Sequence, residues 1–326
     1  MDDNIFMKIR NVLVVGGAGY IGGSVTDELL RRKIPFTVFD NLTYENQYLK
    51  PVDFIYGDIR NRTLLKKILP RYSHIIWLAA IVGDGACAIK PDLTREVNGD
   101  AVGFLSRNYR GRIMFTSTCS VYGVSQDPVN ESSQTNPLSV YAKTKLAAEE
   151  YLTGKNALIF RLGTAFGLSD TYSRIRMDLA VNYMTMNAVK HGSLTIFGGT
   201  QWRPFIHVKD IGNVIVDNLS GDKTGVYNLA TQNESIIEVA KHIARITKCT
   251  IVKTKQKFQD DRSYNAIVTK ALRDKIFTKR TKYTIAFGVS EIKDLVLSKR
   301  VKNLDLEYYS NAKYLLTAIE QYEKGF

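Results

Sequence analysis

The chain has 326 residues, 44% hydrophobic and 24% charged, enough for one large domain or two modest ones with an ordinary core. No apolar run approaches the ~18 residues of a membrane span, and the opening MDDNIFMKIRN is too acidic and too poor in apolar residues for a signal peptide. Cys87, Cys119 and Cys249 form no CxxC pair and the four histidines no HExxH pattern, which argues against a disulfide framework or a metal site and for a reducing cytoplasm.

The net charge is +13, and residues 241–302 hold 17 Lys or Arg against 5 Asp or Glu. The run is not a compact basic block with interleaved aromatics, so it reads as a solvated surface. No specific nucleic-acid or membrane partner is expected.

Along the chain, VLVVGG (12–17) reads as a buried strand, and GYIGGSVTDELLRR follows with helical spacing. FTVFD (36–40) and DFIYGD (53–58) are the next strands, TLLKKILP a helix and HIIWLAA (74–80) a strand. A helix is predicted over about 92–108, then a strand RIMFTST (112–118), a helix SVYAKTKLAAEEYL and a strand ALIFRLG (157–163). The second half is less regular. DIGNVIVDNL (210–219) and IIEVAKHIARI (236–246) read as helices, VYNLA (226–230) as a strand, and the stretch from about 303 as a final helix. Strands alternating with helices imply right-handed βαβ units. The expected fold is therefore α/β, a Rossmann-type doubly wound parallel sheet with a smaller, interleaved C-terminal lobe. Residues 1–163 are expected to bind a cofactor, with 205–235 returning to that domain. Residues 164–204 and 236–326 are expected to form a substrate-binding lobe.

VVGGAGYIGG sets Gly16, Gly19 and Gly22 as GxxGxxG between a strand and a helix. The first glycine permits a tight turn, the second lets backbone approach a pyrophosphate, and the third lets the helix pack on the sheet. Asp40 ends the second strand, where a carboxylate accepts bonds from ribose hydroxyls and repels a 2′-phosphate. No Arg or Lys stands at 41–43, so NAD is expected over NADP.

SVYAKTK puts Tyr141 one helical turn from Lys145. Oxidising an alcohol requires a hydride acceptor and a base. Lys145 and a positive nicotinamide ring would both favour a phenolate, lowering the Tyr141 pKa. Thr118 or Ser117, at the end of a strand, could hydrogen-bond the reacting oxygen.

Together with GDIRN (57–61), LAA (78–80), TSTCSVYG, RLGTAFG (161–167), RMDLAVN (176–182), WRPFIHVKD (202–210) and DDRSYN (260–265), these motifs cover nearly the whole chain. In that order they resemble the extended short-chain dehydrogenase/reductases, and within them the NAD-dependent nucleotide-sugar epimerase/dehydratase branch. The resemblance implies Tyr141 as catalytic base, Lys145 as the ribose-binding lysine and Thr118 as the active-site hydroxyl. It implies a cofactor site of Gly16, Gly19, Tyr20, Ile21, Gly22, Asp40 and Asn41, with Asp58 and Ile59 around the adenine and Leu78, Ala79 and Ala80 beneath the cofactor. Asn182 and Arg203 match contacts to a nucleotide-diphosphate sugar, and Arg262 an arginine that grips its diphosphate. Arg176, with Arg174, is a further candidate phosphate or sugar contact. Members are commonly homodimers that pair two helices per subunit, here about 92–108 and 138–152.

The chain departs from the family pattern in two places. Cys119 and Ser120 stand where dehydratases carry an Asp-Glu pair, which argues against 4,6-dehydration, and Thr164 stands where many epimerases have Asn. The implied reaction is oxidation at C4 of the sugar. A 4-epimerase is the first expectation, with a 4-dehydrogenase or a 4-keto-6-deoxysugar reductase as alternatives. A catalytically silent NAD-binding regulator is the reading from another class.

Overall fold

The computed structural model describes residues 11–45, 47–254, 263–278, 281, 283–301 and 303–323, so Arg262 lies outside the described residues. Strands β1 (Val12–Val15), β2 (Phe36–Asp40), β3 (Phe54–Tyr56), β4 (His74–Trp77), β5 (Arg112–Thr118) and β6 (Ala157–Leu162) are all parallel. They alternate with helices α1 (Tyr20–Arg31), α2 (Arg62–Ile68), α3 (Asp84–Ile89), α4 (Pro91–Arg95), α5 (Ala101–Asn108) and α6 (Val140–Leu152). Strands β1, β4, β5 and β6 are buried along their whole length, because helices cover both faces of the sheet.

The second half continues with β7 (Thr164–Phe166), α7 (Ala180–His191), β8 (Ser193–Phe197), β9 (Trp202–His207), α8 (Val208–Asp217) and β10 (Gly225–Leu229). It ends with β11 (Gln232–Ser235), α9 (Ile236–Thr247), β12 (Thr250–Thr254), α10 (Thr269–Arg273), α11 (Ile285–Leu297) and α12 (Asn311–Glu323). Strand β10 returns to pair in parallel with β6, giving a seven-stranded sheet in the order β10-β6-β5-β4-β1-β2-β3. Helix α8 packs on α1, so Ile211 and Ile215 share one core with Val25, Leu29, Met114 and Phe160. Small sheets β11-β9-β7 and β12-β8 belong to a second core, where α7, α9 and α11 bury Val181, Val239, Ile243, Ile285 and Val289 around Phe166 and Phe205.

The sheet order reverses between β1 and β4, and the loops after their C-terminal ends open there as a cleft. Two predicted helices need correction. The one over 92–108 is interrupted at Glu96–Asp100 by a wider, five-residue winding. That winding carries Asn98, whose amide oxygen accepts from Ile81 N (2.8 Å) while its nitrogen donates to Ile81 O (2.9 Å) and Thr144 Oγ1 (3.3 Å). Satisfying the backbone of the loop after β4 sets the irregularity. The final helix starts at Asn311, and only a short turn, Glu307–Tyr309, precedes it. Of the intervening residues, Tyr308 reaches Arg174 and Glu45, two residues that line the cleft.

Candidate active site

The turn after β1 is set by Gly16, whose φ is +82° and where a Cβ would stand 2.5 Å from Ala79 N. Only glycine lets the loop after β4 come this close. Helix α1 starts at Gly19 without a side-chain cap, so its first-turn amides remain available to an anion. Asp40 closes β2 and accepts from Ala18 N (3.1 Å) through one oxygen and from Leu42 N (2.9 Å) through the other. Burial nevertheless raises its carboxyl to about 6. Gly16, Gly19, Tyr20, Ile21, Gly22, Asp40, Asn41, Ile59, Leu78, Ala79 and Ala80 line a cleft with about 1130 Å3 of empty volume, part of it open to solvent. Of the residues expected at the cofactor, Asp58, Tyr141 and Lys145 stand back from the lining. The Asp58 carboxylate pairs with Arg60 (2.8 Å) and accepts from Asn41 Nδ2 (3.2 Å), which orients Asn41.

Beyond one end of the cleft lies the predicted catalytic set. The parallel register matches Trp77 with Phe115, so three residues further on Ala80 and Thr118 reach the same sheet edge. Ser139 Oγ caps α6 through Ala142 N (3.2 Å) and starts the helix just before Tyr141. Thr118 stands beside the Tyr141 phenol and favours its ionised form, and it caps its own turn through Ser120 N (3.1 Å). Lys145 is buried, donates to Thr116 O (2.7 Å) and sits over the Phe115 ring at 4.6 Å.

The electrostatics correct one expectation. Burial pushes the Tyr141 phenol well above its ordinary range, and Cys87 and Asp84 of α3 add to the rise, while Arg176 and Thr118 oppose it. Lys145 does not offset this. Its ammonium is spent on a backbone carbonyl, and burial lowers it to about 8. In the protein alone, desolvation outweighs the neighbouring cations.

A buried polar network fixes α6 to the sheet. Glu149 pairs with Arg161 of β6 (2.7 Å) and accepts from Ser117 Oγ. Arg161 donates to Tyr122 Oη (2.9 Å), which donates to Asn228 of β10 (2.7 Å). Cys119 is fully buried, donates to Arg161 O (3.1 Å) and has its thiol pushed up by burial, so it is a packing residue. Ser117 faces this network, which leaves Thr118 as the hydroxyl beside Tyr141.

The predicted sugar contacts scatter. Asn182 is fully buried and spends its amide on backbone, accepting from Gly167 N (2.9 Å) and donating to Gly167 O (3.1 Å) and Arg176 O (2.8 Å). It clamps the loop that carries Arg176 and does not face the cleft. Arg203 is buried, donates to Trp202 O (2.9 Å) and lies 5.8 Å from the Tyr264 ring. Arg176 does line the cleft, pairs with Asp178 (2.6 Å) and acts on Tyr141. Sequence reasoning missed Tyr44, Asp84 and Asn311. VGDGAC, directly after a strand at the ligand edge, could have pointed to Asp84.

The glycine turn, the ribose-matched Asp40 and the gap that a Cβ at Gly16 would fill suit a dinucleotide. Fold and cleft together define a dinucleotide-binding α/β protein with a Thr–Tyr–Lys set beside the cleft. The sequence profile of the NAD dependent epimerase/dehydratase family matches residues 12–230, and the chain belongs to that family. Its cofactor is NAD. It is 26% identical to UDP-glucose 4-epimerase of Streptomyces lividans over 265 residues, which spans 72% of this chain and 80% of the relative. UDP-N-acetylglucosamine 4-epimerase from Methanobrevibacter ruminantium superimposes with a TM-score of 0.75 at 26% identity, covering 90% of this chain and all of that one. UDP-glucose 4-epimerase of Thermus thermophilus, solved with NAD, gives a TM-score of 0.74 at 22% identity over 87% of this chain and 99% of its own. The family and these relatives make the chain an enzyme of the extended short-chain dehydrogenase/reductase type. Among the described residues no helix is long and apolar enough to cross a membrane, and no group of acidic, His and Cys side chains could hold a metal ion.

Proposed function

We propose that the protein is an NAD-dependent 4-epimerase of a nucleotide-diphosphate sugar. The observation that carries this reading is the convergence of Thr118 and Tyr141 beside the dinucleotide cleft, with Lys145 one turn along the same helix. Tyr141 takes the proton of the C4 hydroxyl, and Thr118 holds the same oxygen. When bound, NAD supplies a reversible hydride acceptor and a positive charge near the phenol, against the rise that burial imposes. Lys145, which donates to Thr116 O in the protein alone, would hold the nicotinamide ribose. The sugar becomes a 4-ketone, rotates in the pocket and is reduced on its other face, with Tyr141 returning the proton. The 4-epimerase relatives support this outcome, and the packed, unreactive Cys119 argues against dehydration.

Residues 1–163 and 205–235 serve the cofactor, and 164–204 and 236–326 shape the sugar pocket. The helices at 92–108 and 138–152 pair two subunits in a cytoplasmic homodimer. The test is to identify nucleotide released from the purified protein by mass spectrometry, then screen UDP-, GDP- and dTDP-sugars for inversion at C4. Retained NAD and an inverted sugar are expected. Empty protein that takes up NADPH in preference to NAD would overturn the reading in favour of a 4-keto sugar reductase. Accumulated 4-ketone with NADH would make it a 4-dehydrogenase.

A further inference from the structure

Arg174 is an unusual cation for a ligand cleft. It lines the cleft yet is 6% exposed, and it makes no ion pair among the described residues. Its guanidinium donates to Tyr308 O and Asn311 Oδ1, both just before or at the start of α12. Three tyrosine rings surround it, Tyr44 at 5.0 Å, Tyr308 at 5.6 Å and Tyr314 at 5.8 Å. Two donors are left over. Arg174 Nε and the Tyr44 hydroxyl are buried without a hydrogen-bond partner, and both residues line the cleft.

The acidic groups nearby are engaged elsewhere. Asp178 pairs with Arg176 (2.6 Å) and accepts from Asn311 N (2.8 Å), and Glu45 accepts from Tyr308 Oη (3.0 Å). A buried donor without an acceptor costs the free energy of its desolvation, which an acceptor-rich ligand returns. A guanidinium and a phenol that both lack acceptors suit an anionic oxygen. Tyr44 and Glu45 follow Asp40 and Asn41 at the adenosine end, whereas Arg176 acts on Tyr20 of the glycine turn and on Tyr141. The two arginines therefore line the same cleft as the glycine turn and the start of α1.

We propose that Arg174 and Tyr44, held by the segment around Asn311, form a second grip on the NAD diphosphate, opposite the glycine turn. The diphosphate is then clamped between the helix amides and a guanidinium. The inference rests on the NAD site and is independent of which sugar reaction the enzyme performs.

The test is displacement of fluorescent NADH by adenosine, ADP and UDP, for the wild type, Arg174→Gln and Tyr44→Phe, each checked for an unchanged melting curve. Losing one charge-assisted bond should weaken ADP by about 10- to 100-fold in Arg174→Gln, and losing one neutral bond should weaken it by about 3- to 10-fold in Tyr44→Phe. Adenosine should bind all three proteins equally. Equal loss of adenosine and ADP would reduce Arg174 to a structural role and overturn the proposal. So would unchanged ADP binding, or a loss confined to UDP, which would assign the arginine to the sugar nucleotide. Tyr44→Phe removes a single hydroxyl, so its result stands even where Arg174→Gln fails to fold. NADH that fails to bind the wild type would instead count against the NAD site itself.

Discussion

Burial and charge pull Tyr141 in opposite directions, and in the protein alone burial keeps the phenol protonated. Tyr141→Phe should therefore cut turnover by about 10²- to 10⁴-fold, the usual worth of a general base, while NADH fluorescence titration shows unchanged cofactor affinity. Labelled-tyrosine NMR should find the phenol pKa above its ordinary value without ligand and lowered once NAD is bound. Asp40 and Lys145 bracket a second expectation. Asp40 takes up a proton as the pH falls through about 6 and then offers the ribose one acceptor fewer. Lys145 loses its proton as the pH rises through about 8. NAD affinity, measured by calorimetry from pH 5 to 9, should peak between those limits and fall by about tenfold at pH 5. Asp40→Asn should abolish the acid limb. At this scale, the sequence was most legible where chemistry repeats locally. The glycine turn, Asp40 and YxxxK are short patterns with one reason each. Asn182 misled because its type and position match a ligand contact, while its actual work, holding Gly167 and Arg176 backbone, depends on residues far from it in sequence.

Helix α6 holds its place through ionic as much as apolar contacts. Glu149 and Arg161 are both nearly inaccessible, so Glu149→Gln would leave a buried guanidinium without its counter-charge. The loss should be about 3–5 kcal/mol of unfolding free energy, read from the shift in urea midpoint. Stretches with a single strong period were readable, and β2 and β5 run over the residues predicted. Strand β12, TIVKT, pairs among the described residues with β8 alone and is largely exposed, so no apolar alternation marks it. The wider winding at 96–100 escapes any periodicity argument, because Asn98 causes it by reaching back to Ile81.

At the scale of the molecule, the segment that returns to the cleft was hardest to foresee. Its contacts with Arg174 join residues 134 and 137 positions apart, and no local pattern encodes them. Met177 N also bonds Tyr309 O (3.0 Å), and Leu315 is buried in the core beside α3 and α5. Hydrogen exchange across 303–318 should slow when NAD binds, and an unchanged rate would mean that the segment does not feel the cofactor. Light scattering tests the homodimer, for which a mass of one chain would be the contrary result. The same closure has a consequence for biosynthesis. Every residue matched by the family profile has been polymerised once residue 230 is made, yet the cleft still lacks Asn311 and the Tyr308 carbonyl that holds Arg174. On the role proposed for Arg174, a nascent chain that folds its sheet and glycine turn early gains its full hold on the nucleotide only when these late residues have been made.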